Sequence, residues 1–200
     1  MSHRIFHRIA LAPIALAAAL MSSTGAYAHD EALPAGASGV KAEILVWIED
    51  AQDKLIQLAE AMPESRYGWS PAKGVRTVGE VFMHVSAANY GVPSFIGVPA
   101  PEGFKFETYE HSLTKKPDIV KSLKDSFAHV EGALKAMSDT DMDTPAEFFG
   151  MKTTKRGAYF LLLSHAHEHL GQEIAYARSN KVTPPWTAKQ QAAEAKAPKK

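Results

Sequence analysis

Tyr159–Arg178 reads YFLLLSHAHEHLGQEIAYAR, and the interpretation of the whole chain turns on it. Ala, Leu, Glu and Gln favour helix, and no proline interrupts the run before Pro184, so the stretch belongs to one long helix. Positions four apart lie on the same helix face, about 6 Å apart along the axis. His165 and His169 have that spacing, whereas His167 is two residues from each and points away from them. Two imidazoles one turn apart can each offer one nitrogen to a shared metal ion, and a third ligand must then come from another element. The best candidate is His84, in TVGEVFMHVSAAN.

Working outward, the chain supplies three further amphipathic helices. Gly39–Met62 carries Ile44, Trp47, Ile48, Ala51, Leu55, Leu58 and Met62 at steps of three and four, with charged residues on the other side. Thr77-Val78-Gly79-Glu80 is a capping box that starts a helix over Val78–Tyr90, with Pro93 ending or kinking it. On that helix Val81, His84, Val85 and Ala88 share a face, which turns His84 inward. Pro117 followed by Asp118 opens a helix to Met137 with the stripe Ile119, Leu123, Phe127, Val130, Leu134, and His129 lies off that stripe as a solvated residue. Thr153 or Thr154 caps the last helix, Lys155–Asn180.

Between these helices run a loop containing Trp69, Pro71 and Gly74, a long connection at 97–116 rich in Pro, Gly and aromatics, and a polar connection at 138–151. Trp69 reads as a lid on the core, and Phe104, Phe106, Tyr109 and His111 either wall a pocket or, the favoured reading, pack against the bundle end. No segment reads as a convincing strand. The expectation is an all-α, four-helix bundle with long crossover connections, spanning 39–180. The Ala/Lys-rich stretch 181–200 has no periodicity and reads as a disordered tail.

The N-terminus reads as a targeting segment. Arg4 and Arg8 precede the apolar run Ile9–Leu20, which is too short to span a bilayer comfortably, and Ala26-Tyr27-Ala28 is a cleavage site. Residues 1–28 are thus a secretory signal peptide, 29–38 a mobile lead-in, and the mature protein is periplasmic or secreted with no stable membrane anchor. Of the 22 basic residues, Arg4 and Arg8 leave with the leader, so 20 face the 22 acidic ones, a balance that excludes a nucleic-acid footprint. There are no cysteines, which excludes disulfides, thiolate nucleophiles and Cys-ligated zinc.

Three pieces in this order, Trp69-Ser70-Pro71, Arg76-Thr77-Val78-Gly79-Glu80-Val81-Phe82-Met83-His84-Val85 and His165-Ala166-His167-Glu168-His169-Leu170-Gly171-Gln172, resemble the DinB (DinB/YfiT-like) family across most of the mature chain. The resemblance implies a bundle whose helix order is permuted by a crossover, and a divalent metal held by His84, His165 and His169. It also implies a metal-dependent activity, such as the thiol-dependent transfers of some members, and homodimers through helix faces.

Three neutral imidazoles suit Zn²⁺ or Ni²⁺ first, and Fe²⁺ or Co²⁺ as well. A small molecule is the expected ligand or substrate, and the readings left open are a metal-dependent hydrolase or transferase and a non-catalytic metal- or ligand-binding module. Gln172 shares the face of His165 and His169 and can support a neighbouring group, while Glu173 either orients the ring of His169 or is exposed. A helical histidine by itself is more often a core or surface residue than a ligand, so the weight rests on the three together.

Overall fold

Four long helices form the frame because each carries one apolar stripe that only its neighbours can cover. The computed structural model describes residues 39–196. In chain order these form α1 (Val40–Ala61), α2 (Val78–Ser94), the single turn α3 (Phe106–Tyr109), α4 (Lys116–Ala136), the turn α5 (Asp139–Met142), strands β1 (Pro145–Phe148) and β2 (Met151–Thr154), α6 (Lys155–Ser179) and α7 (Pro185–Lys196). The signal peptide expected over 1–28 and the lead-in over 29–38 lie outside the described residues. Among the described residues no helix is long and apolar enough to cross a membrane.

The four-helix bundle predicted from periodicity is present, and its order is permuted. α1 packs against α4 and α6, and α2 packs against the same two helices. Consecutive α1 and α2 therefore stand on opposite corners, as do α4 and α6, and the connections 62–77 and 137–154 each run across the bundle end. This arrangement makes α2 and α6 neighbours, although sixty residues, 95–154, separate them in sequence. The core between the corners is built from Ile48 and Leu55 of α1, Phe82 and Val85 of α2, Leu123 and Phe127 of α4, and Tyr159 and Leu162 of α6. Burying a side chain of this size stabilises by roughly 1.5–3 kcal/mol, which is why the stripes dictate the partners.

Helix ends follow their local chemistry. Thr77 accepts from the Glu80 amide at 3.3 Å while the Glu80 carboxylate accepts from the Thr77 amide at 2.7 Å, so the expected capping box starts α2. Thr154 accepts from the Gly157 amide at 3.2 Å and starts α6. Pro93 does not end α2; it lies within the last turn, where only one hydrogen bond is lost.

Four sequence expectations are corrected. Residues 145–154 form a two-stranded antiparallel hairpin, Pro145 opposite Thr154 and Phe148 opposite Met151. Its two-residue turn is Phe149-Gly150, with φ values of 50° and 75°. Such a turn needs positive φ at both positions, and without Asn-Gly or Asp-Gly the sequence signal was weak. Within the stretch 181–200 expected as a disordered tail, Pro185–Lys196 forms α7 instead, because Trp186 packs on the core beside α1 and the following Ala, Gln, Lys and Glu residues favour helix, while 197–200 lie outside the described residues. Trp47, expected in the α1 stripe, is 47% exposed and meets His167 edge-on with ring centroids 6.4 Å apart. His129 is half-buried rather than solvated: its ring lies 5.3 Å from that of Tyr90, its Nε2 is enclosed without a partner, and burial lowers its pKa.

Trp69 does act as a lid, packing on the core with its ring edge-on to Tyr176 at 5.3 Å. Phe104 and Tyr109 also pack as expected, around Tyr90 of α2. Phe106 meets α2 at Gly91 through the edge of its ring, where a Cβ would fall 2.3 Å from the ring, so only glycine allows α3 to sit this close. That docking carries Glu110, the residue after α3, to the side of α2 that bears His84.

Candidate metal centre

α2 and α6 bring the three predicted histidines together. His84 comes from the middle of α2, and His165 and His169 from consecutive turns of α6. One nitrogen from each ring lies within 4.8 Å of the others. The rings of His165 and His169 are 4.4 Å apart, and that of His84 is 4.9 Å and 4.8 Å from them. His84 Nε2 and His165 Nε2 approach to 3.1 Å. Two nitrogens sharing a tetrahedral ion at normal bond lengths stand ~3.3 Å apart, so the spacing fits a shared cation. His167 is not part of the group: its Nδ1 donates to the Leu163 carbonyl at 3.0 Å, and its Nε2 faces Asp50 at 4.0 Å.

The outer ring nitrogens settle which nitrogen is available. His84 Nδ1 donates to Glu110 Oε2 at 2.8 Å, and His169 Nδ1 donates to Gln172 Oε1 at 2.8 Å. An N–H committed to an acceptor fixes the tautomer and leaves Nε2 with its lone pair turned inward. Both arms continue to one residue. Glu110 Oε1 accepts from Arg76 Nε at 2.6 Å. Gln172 Nε2 donates to the Tyr176 hydroxyl at 2.9 Å, which donates to the Arg76 carbonyl at 3.2 Å. The side chain of Arg76 thus steadies His84 and its backbone steadies His169.

The electrostatics favour the uncharged ring at His165 and His84. Burial, followed by the neighbouring imidazoles of His169 and His84 and by Arg76, pushes His165 down to about 3. Burial and the Arg76 charge also lower His84, against the opposing pull of Glu110. Burial pushes the Glu110 carboxyl up, but the hydrogen bond and charge of Arg76, together with the His84 ring, outweigh it and hold Glu110 below the usual carboxylate range. Neutral imidazoles backed by an ionised carboxylate and an amide are the donor set a divalent metal needs.

Beside the triad lies an open cleft of about 630 Å³, lined by Arg76, Glu80, Glu110, His111 and Gln172 among others. It reaches the two groups that hold the rings rather than the rings themselves. Glu80 and His111 meet across it at 3.2 Å.

A family model for the DinB superfamily matches residues 48–172, a span that contains all three histidines. The chain belongs to the DinB superfamily. Solved structures agree on the fold. A DinB-like protein from Bacillus cereus ATCC 10987 superposes with a TM-score of 0.60 at 21% identity, covering 70% of this chain and 94% of that one. A DinB-like protein from Bacillus subtilis, YjoA, gives 0.57 at 20% identity over 70% and 93%. YfiT from Bacillus subtilis, described as a probable metal-dependent hydrolase with an unusual four-helix bundle topology, gives 0.59 at 17% identity over 76% and 95%. No curated protein matches the chain.

Several residues of this DinB site lay beyond the sequence reading. Glu110 sits in an aperiodic connection, and Arg76 and Tyr176 gave no sign of meeting. The one available signal was chemical: a ligand histidine needs an acceptor for its other nitrogen, and a carboxylate in a long site-lining loop is a natural source. Glu173 corrects an expectation outright. It is neither exposed nor bound to His169; it is fully buried, both oxygens lack a hydrogen-bond partner among the described residues, and burial raises its pKa well above the usual value.

Proposed function

We propose that this DinB-superfamily protein is exported and binds a divalent metal through His84, His165 and His169, using it in hydrolysis or group transfer on a small molecule. The observation that carries the reading is the convergence of three imidazoles, two of them with their tautomer set by Glu110 and Gln172. Zn²⁺ or Ni²⁺ suits the donor set best, with Fe²⁺ and Co²⁺ as alternatives. When bound, such an ion supplies Lewis acidity, polarising a carbonyl or phosphoryl oxygen and making a water or thiol acidic near neutral pH. The chain's own contribution is to orient the rings: Glu110 accepts from His84 Nδ1, Gln172 accepts from His169 Nδ1, and the cleft admits a substrate beside the groups that hold them. The export part of the reading rests on the sequence of residues 1–28 alone.

Protein purified without a histidine tag is expected to carry close to one metal ion per chain by mass spectrometry. Chelation should lower its melting temperature, and zinc at a hundred times its Kd should restore about 2.7 kcal/mol. Metal-free protein whose melting is unmoved by micromolar zinc or nickel would sink the reading.

One observation favours a second reading, a non-catalytic binding module. Glu110 and Gln172, the polar groups in contact with the rings, are both committed to ring nitrogens, so neither is a free general base. Tight metal binding with no turnover across ester, amide and thiol-transfer substrates would select it.

A further inference from the structure

The strongest unassigned feature is the unused edge of Arg76. Its Nε is given to Glu110 at 2.6 Å, and its backbone carbonyl to Tyr176 at 3.2 Å. Among the described residues, Nη1 and Nη2 have no hydrogen-bond partner, and the side chain is 40% exposed at the wall of the 630 Å³ cleft. A guanidinium carries five N–H donors, and its forked edge matches the two oxygens of a carboxylate or two oxygens of a phosphate. Pairing one face of the fork with Glu110 stiffens the group and leaves the rest ready to bind, so little ordering remains to be done on ligand binding.

The cleft holds two carboxylates, Glu80 and Glu110, beside the one guanidinium, so an anion here is held by directed N–H donors rather than by a net positive field. Glu110 is already neutralised by Arg76 and bonded to His84. Glu80 is engaged with the Thr77 amide and with His111. Arg76 is also close enough to the triad for its charge to be felt at both His84 and His165.

We propose that Arg76 is a substrate-anchoring residue: its free Nη edge binds an oxyanion, a carboxylate or a phosphate, and so places the rest of a negatively charged small molecule next to the three histidines. This assignment rests on the metal-site reading for its purpose, but the oxyanion contact itself needs only Arg76 and the cleft.

The test is a titration of acetate and, separately, of inorganic phosphate into the full mature chain, metal-loaded and chelator-treated, at constant ionic strength held with chloride. The readout is the NMR shift of the Arg76 side-chain nitrogens and of the backbone amides at 74–76, with metal content measured on the same samples. Saturable shifts at Arg76 are expected in both forms, and the anion with the lower Kd identifies the substrate's charged group as carboxylate or phosphate. Arg76→Lys keeps one cation for Glu110 but has no fork left over; it is expected to retain metal and to bind the anion at least tenfold more weakly. Arg76→Gln is expected to lose the anion equally and to weaken metal binding as well, because Glu110 is released. Acetate and phosphate that fail to saturate at Arg76, or that bind Arg76→Lys as tightly as wild type, would overturn the anchor while leaving the metal reading intact. Failure of the metal reading shows separately, as wild-type protein without metal.

Discussion

Replacing His165 with alanine is expected to cost more than about 100-fold in metal affinity while the bundle stays folded. Loss of an outer partner of a ligand typically costs 10–100-fold, and loss of the ligand itself must exceed that. His165 is the cleanest of the three to remove. Removing His84 would leave Glu110 Oε2 without its ring partner, and removing His169 would strand Gln172. His165 Nδ1 has no hydrogen-bond partner among the described residues, and its Nε2 meets only His84. Its ring is only partly buried, so the truncation is expected to leave the bundle folded. Metal content and zinc isotherms of His165→Ala, with circular dichroism as the check on folding, measure this directly. Wild-type zinc affinity in the variant would mean that the three rings do not share an ion.

The second large effect is one of stability, at Glu173. This carboxyl is buried in the bundle with both oxygens unpartnered, and burial raises its pKa well above the ordinary value of 4.5. The folded protein therefore keeps a proton there that the unfolded chain releases once pH exceeds about 4.5. Over the window between 4.5 and the raised folded value the native state binds more protons than the unfolded state, so stability falls as pH rises. Glu173→Leu removes both the unpartnered polar group and the titration. It is expected to stabilise the protein by about 1–3 kcal/mol at pH 5, the usual cost of an unsatisfied buried polar group, and by more at pH 8. Urea unfolding of both proteins at the two pH values isolates the effect, because all other titrating groups cancel in the difference. A gain that does not grow with pH would mean that Glu173 is ionised, or solvated, in the fold.

Much of this was legible beforehand because it is periodic or strictly local. The stripes of α1, α2, α4 and α6 recur at three and four, and the Thr77–Glu80 box is read from four consecutive residues. The triad was legible because i,i+4 spacing fixes His165 and His169 on one face and an apolar face turns His84 inward. What stayed hidden depends on contacts between segments far apart in the chain. Glu110 reaches His84 only because Gly91 lets Phe106 lie on α2. Trp47 follows the apolar repeat of α1 yet is exposed, because periodicity gives a face but not how far the neighbouring helix extends over it. Glu173 occupies a core position on α6, and its charge argued against the burial its spacing implied.

Arg76 joins the two arms of the centre into a closed ring, from His84 through Glu110 to its guanidinium and from its carbonyl through Tyr176 and Gln172 to His169. The postures of two histidines on two different helices are thereby linked through one residue. Breaking either arm releases the same tether, so the second break has less left to undo. In a double-mutant cycle on zinc affinity, Glu110→Gln and Tyr176→Phe together should lose less than the two singles combined, with a coupling of about 0.5–3 kcal/mol. Strictly additive losses would show two independent struts instead. A ring of this kind ties the pair of helices at one residue, so that a displacement begun at the cleft wall is expected to reach the His84 and His169 rings together.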